Sequence, residues 1–144
     1  MYRNILVPTD GSEITAKAVQ NAIALAKTTG AKLTALSIKE PFPYSAISEM
    51  QPVPPPACYD APERTATARV KAVADAAAAA GVTCAANTME AVHPWEAIVE
   101  HAKAQGCDLI VMASHGRRGV SALLLGSETQ KVLTHCTMPV LVVK

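Results

Sequence analysis

Two stretches near the end of the chain carry residues suited to holding an anion. "SHGRRG" (residues 114–119) places glycines at 116 and 119, and "LGSET" (residues 125–129) sets Gly126 directly before Ser127 and Thr129. A glycine lets a backbone N–H approach a ligand because no Cβ stands in the way. The run "SETQKVLTH" reads as a short helix, so its first amides lack intrahelical acceptors and sit at the positive end of the helix dipole. Such a terminus attracts phosphate, with the hydroxyls of Ser127 and Thr129 as added donors. Arg117 and Arg118 supply local positive charge. Leu123, Leu124 and Leu125 between the two stretches are expected to anchor the segment in the core. A plainer reading stands beside this one: Ser127 as an N-cap, the glycines as turn formers, the arginines as exposed side chains.

The elements that position these residues follow from apolar patterning. Asn4–Pro8 is a short branched apolar run, the signature of a strand buried on both faces. A helix follows, with Ala16, Val19, Ile23 and Ala26 at helical spacing, Ser12 as N-cap, Glu13 in its first turn and Gly30 as its stop. Residues 32–38 ("KLTALSI") form a second strand. Residues 39–62 hold seven of the ten prolines, which predicts a long surface loop. Helix is expected over 63–80, strand over 82–90, and a helix opened by His93-Pro94 that runs to Gly106. Strand "DLIVMAS", helix "SETQKVLTH" and strand "PVLVVK" complete a β-α alternation through residues 1–144, read as one domain. Alternation with apolar, non-alternating strands predicts a parallel sheet covered by helices on both faces.

In such an open sheet a ligand lies beyond the carboxyl ends of the strands, where the strand order reverses. The two loops with unusual chemistry, "PTDGSE" after the first strand and "SHGRRG" after the fourth, are therefore expected to meet there. Asp10 in the first has its own plain reading, as the Asp of an Asp-Gly turn.

The spacing Ala113-Ser114-His115-Gly116, nine residues, then Gly126-Ser127 is similar to the G-x2-G-x9-G-[ST] pattern of nucleotide-binding universal stress proteins. The opening "ILVPTDGSE" and the closing "MPVLVVK" resemble the same family, so the likeness covers essentially the whole chain. Ala113 departs from the pattern, standing where the family has its first glycine. The resemblance implies a three-layer, doubly wound, Rossmann-like or flavodoxin-like α/β fold with strand order 3-2-1-4-5. It implies ATP with Mg2+ as ligand, bound by a sensor or switch that turns it over slowly at most. Asp10 would lie near adenine and ribose, with Pro8 and Thr9 shaping the same wall. Ile38 would pack on the adenine and Met112 beside the nucleoside. Gly116, Gly126, Ser127 and Thr129 would serve the phosphates, flanked by Glu128 and Arg117. The resemblance also implies a homodimer through antiparallel pairing of the last strand, Val140–Val143, an apolar strand expected at a sheet edge. The alternative is a stress protein that acts through protein partners, its pocket impaired by the Ala113 methyl group.

Other classes fit less well. The formal net charge is +1, too small for a broad nucleic-acid footprint. No apolar stretch approaches the ~20 residues that cross a bilayer, and "MYRNILVPTD" is too brief for a signal-peptide core, so a cytoplasmic location is expected. Half of the residues are hydrophobic and 17% charged, a composition that folds. Cys58, Cys84, Cys107 and Cys136 are scattered without metal-ligand spacing, and the four histidines make no H-E-x-x-H set, so no metal site is expected. Neither G-x-G-x-x-G after the first strand nor G-x-x-x-x-G-K-[ST] is present. One Trp, three Tyr and one Phe are few for a flavin sandwich. The third strand ends in "TME", a poor site for a phospho-accepting Asp. No nucleophile stands beside an evident base.

Overall fold

The structure, a computed structural model, describes residues 1–41, 56–116 and 124–144, with the backbone alone over 56–60. Strand β1 (Asn4–Pro8) leads into helix α1 (Glu13–Thr29). The alternation continues through β2 (Lys32–Lys39), α2 (Pro56–Ala79), β3 (Cys84–Glu90), α3 (Pro94–Ala104), β4 (Leu109–Ala113), α4 (Ser127–His135) and β5 (Val140–Val143). The strands form one sheet in the order β3-β2-β1-β4-β5, every pairing parallel. Fold class and strand order are those expected from the sequence.

The sheet grows outward from β1 in two directions, and right-handed crossovers then place the helices on opposite faces. Alternate residues of each strand serve the two faces. Ile5, Val7, Leu33, Ala35, Leu109 and Val111 pack in one cluster with Ala18 and Ala22 of α1 and Val70 and Val73 of α2. Leu6, Leu36, Ile110 and Met112 pack in the other with Ile98 and Val99 of α3 and Val132 of α4. This is why β1 and β4 read as unbroken apolar runs: both are covered on either side, and β4 is buried throughout.

Local signals hold at the ends of α1. Ser12 Oγ accepts the Thr15 N–H, Glu13 sits in the first turn, and Gly30 closes the helix in the left-handed region at φ 75°. At the opposite end of the sheet from the cleft described below, Asp108 accepts the N–H groups of Arg3 and Asn4. The buried Asn4 side chain joins the Gln105 carbonyl to the Thr34 hydroxyl.

Two expectations are corrected. The proline-rich segment is not loop to residue 62, because α2 already begins at Pro56 and carries Pro62 inside it. Proline at a helix start forfeits only an amide that has no acceptor there anyway. Pro62 does forgo one interior hydrogen bond, beside a side-chain network from Glu63 to Lys39 and Thr88 that ties this turn to the sheet. The position of each proline matters more than their number. Residues 42–55 of that segment lie outside the described residues. The second correction concerns the leucine anchor. Leu124 is 71% exposed and Leu125 only half-buried, since the segment arrives at the sheet's carboxyl edge, where there is a cleft and no core to enter. Leu123 lies outside the described residues.

Candidate functional site

A cavity of about 1060 Å³ opens at the carboxyl ends of the strands, between the turn after β1 and the segment after β4. Its position is the one that the reversal of strand order dictates. Pro8, Thr9, Asp10, Ile38, Met112, Ala113, Gly116, Gly126, Ser127, Glu128 and Thr129 all line it. Arg117, with Arg118 and Gly119, lies outside the described residues.

The two loops touch. A Cβ at Gly116 would stand 2.7 Å from Asp10 Oδ2, so the glycine is what admits the carboxylate. Asp10 is held from the other side, its Oδ1 accepting the Ser12 N–H at 2.9 Å with Thr15 Oγ1 at 3.0 Å. Gly126 is as tightly placed: its N–H donates to the Ser114 carbonyl at 2.7 Å, and a Cβ there would meet His115 Cα at 3.1 Å. The start of α4 is thereby clamped against the end of β4.

This clamp alters which donors face the cavity. The Gly126 amide is engaged with Ser114, and Gly126, not Ser127, is the N-cap, with no side-chain cap on the helix. The amides of the first helical turn, from Ser127 on, are therefore the ones without an intrahelical acceptor. Thr129 is 2% exposed and its hydroxyl donates to the Ala113 carbonyl at 3.0 Å, which pins α4 to β4. Glu128 turns toward α3 and accepts the Trp95 N–H at 2.7 Å. The Trp95 ring stacks on His135 at 4.5 Å between centroids, so α3 and α4 are joined twice. His115 Nδ1 lies 3.1 Å from Ser114 Oγ, a local loop contact.

Several lining residues were not singled out from the sequence. Pro62, Thr65 and Arg69 line the cavity from α2, and Val92, Pro94 and Ile98 from around the start of α3. A signal existed: in a parallel α/β sheet each helix starts at the carboxyl edge, and 62, 65 and 69 share one helical face. The loop expected over 39–62 concealed Pro62, whereas Thr65 and Arg69 fell within the expected helix and were not singled out. Lys39, at the end of β2, forms an ion pair with Glu63. The hydrogen bond from Lys39, and then that from Thr88, hold the Glu63 carboxyl below the ordinary glutamate range.

The cavity thus has an aliphatic side, with Leu36, Ile38, Ile98 and Met112, and a polar side formed by the two loops and the start of α4. Among the described residues no group of three His, Cys, Asp or Glu is placed to hold a metal ion. No described helix is long and apolar enough to cross a membrane.

Fold and cleft put the chain in the class of open, doubly wound α/β domains with a switch-point cavity. The chain belongs to the universal stress protein family, whose family model matches residues 1–144. A universal stress protein of Thermus aquaticus is 34% identical over 144 residues, covering all of both chains. Universal stress protein MJ0531 of Methanocaldococcus jannaschii is 32% identical over 153 residues, covering all of this chain and 83% of the relative. Among solved structures, protein MJ0577 superposes with a TM-score of 0.84 at 27% identity, over 100% of this chain and 96% of that one. A universal stress protein solved in complex with cAMP superposes with a TM-score of 0.74 at 26% identity, over 99% and 97%.

Proposed function

We propose that the cleft binds an adenine nucleotide, ATP with Mg2+, and that the protein acts in the cytoplasm as a stress-response sensor or switch. The observation that carries this reading is the meeting of the two loops, with the Asp10 carboxylate seated against Gly116 and α4 clamped so that its first turn opens onto the same cavity. An aliphatic wall suits the faces of a purine, and unsatisfied amides at a helix start suit phosphate. The structural neighbour solved with cAMP adds support from within the family. With no cluster of three metal-ligating residues among those described, Mg2+ would arrive held chiefly by the phosphates. Turnover is slow at most, and no residue is assigned a catalytic role. Isothermal titration with ATP and Mg2+ tests the reading: saturable binding is expected, and its absence overturns it.

The competing reading, a pocket impaired by Ala113, is weakened by where that side chain goes. Ala113 packs in the cluster with Val7, Ala18 and Val111, on the face that α1 covers. The residue is 5% exposed in that cluster while it also borders the cavity, and its carbonyl is tied down by Thr129. Nucleotide released by denaturing freshly purified protein separates the two readings, for an impaired pocket would release none.

We further propose a homodimer through β5. This strand ends the sheet beyond β4, and Leu141 on it is 42% exposed, so its outer edge offers a ladder to a second copy.

A further inference from the structure

We propose that Glu128 is a positioning residue of this cleft, whose carboxylate holds the start of α3 to the start of α4 and so couples the aliphatic side of the cavity to the side that takes phosphate. The inference rests on the nucleotide reading above and adds the residue through which the two sides communicate. Glu128 lies in the first turn of α4 and borders the cavity, as do Ser127 before it and Thr129 after it. Its Oε2 accepts the Trp95 N–H at 2.7 Å, across 33 residues of sequence. Pro94, just before Trp95, and Ile98, one turn further along α3, line the same cavity.

The bond answers a need of α3 that its own residues leave open. His93 is the N-cap and makes no side-chain cap, and Pro94 has no N–H to satisfy. The amides of Glu96 and Ala97 turn back to the His93 carbonyl, so the Trp95 amide takes its acceptor from outside the helix. Glu128 supplies it, and the carboxylate charge meets the positive end of α3. Its neighbours fix where it stands. Thr129 is 2% exposed and bonded to the Ala113 carbonyl. Val132 and His135, one and two turns on, share the face of α4 that carries Glu128. Val132 is buried in the cluster with Ile98, and the His135 ring stacks on that of Trp95. A shift of the first turn of α4 toward bound phosphate therefore pulls on the Trp95 backbone, and with it on the wall made by Pro94 and Ile98.

Trp95 is the single tryptophan of the chain, so its fluorescence reads the junction while calorimetry reads affinity. The test is titration of wild type, E128A, E128Q and E128D with ATP and Mg2+ by both methods. Saturating ATP should shift the wild-type emission. E128A should bind ATP roughly tenfold more weakly, the scale of one hydrogen bond to a charged group, and should lose the emission shift even when saturated. E128Q, whose amide oxygen accepts the same N–H, should restore most of both. E128D keeps the charge but falls a methylene short, so it should resemble E128A, and it carries the test should E128A fail to fold. Tighter ATP binding in E128A and E128Q would mean that the carboxylate merely repels phosphate, and overturns the proposal. Equal losses in E128A and E128Q overturn it too, as does a lowered Tm with affinity and emission shift intact. A wild type that binds no ATP overturns the nucleotide reading along with it. Binding without an emission shift, or without an effect of the Glu128 variants, overturns this inference alone.

Discussion

At position 116 a methyl group would stand 2.7 Å from Asp10 Oδ2, while Asp10 Oδ1 is held by the Ser12 amide. The carboxylate has little room to yield, so G116A should displace it and weaken nucleotide binding by about tenfold, the scale of one charge-assisted hydrogen bond. Titration of G116A, D10A and the double variant checks this. The two single losses should not add, because both act on one contact. Position 113 carries the opposite expectation. Ala113 borders the cavity but is 5% exposed and belongs to the core cluster, so A113G should leave nucleotide affinity within about twofold. It should cost about 1.5 kcal/mol of stability through lost burial and glycine's backbone entropy. Denaturant unfolding beside a binding titration decides it, and a large gain in affinity would restore the view that the methyl obstructs the site. Gly116 and Gly126 were both legible as close-approach glycines from their types and spacing. What each approaches was not: one faces a carboxylate from a loop more than a hundred residues away, the other the backbone of Ser114 and His115.

The helices show the same division. The ends of α1 follow from Ser12, Glu13 and Gly30, whose side-chain and backbone preferences act within a few residues. The start of α2 did not follow, because local proline chemistry argues for loop while contacts across the chain favour helix. Lys39 and Thr88 reach Glu63 from two neighbouring strands. That network titrates. The Glu63 carboxyl is held below its ordinary range, so the unfolded chain takes up its proton first as pH falls. The stabilisation is complete above the unfolded pKa of a glutamate and disappears as pH drops through the lower folded value. In E63Q this component is absent at every pH. The stability difference between wild type and E63Q should therefore be present at neutral pH and vanish in acid, as followed by thermal unfolding across a pH series. A difference that persists unchanged into acid would show that the carboxylate's charge is not what ties α2 to the sheet.

For the molecule as a whole, the sheet has two edges, and they are not alike. The β3 edge belongs to a strand that continues through the Lys39–Glu63–Thr88 network into α2. The β5 edge is short and aliphatic, Val140–Val143. Pairing of β5 with its copy would lengthen one sheet across both subunits. Light scattering should give twice the mass of the 15.0 kDa chain at micromolar concentration, and L141K should shift the population toward monomer by placing like charges opposite one another. A wild-type monomer under those conditions would remove the dimer. Leu141 is not among the residues that line the cleft, so nucleotide binding should survive in L141K.

The order of elements, the parallel sheet and the place of the cleft were determined by the sequence alone. They depend on apolar periodicity, on helix-end residues and on the handedness of crossovers, all of which act locally or by general rule. Which donors face the cavity was decided by tertiary structure. The Gly126 amide and the Thr129 hydroxyl are used in fastening α4 to β4, and Glu128 serves α3. The α2 wall with Arg69, the exposure of Leu124 and the burial of Ala113 in the core cluster arise in the same way. A side chain's partner depends on which distant backbone arrives beside it, and that meeting is set by packing the helices against the sheet, beyond the reach of any local rule.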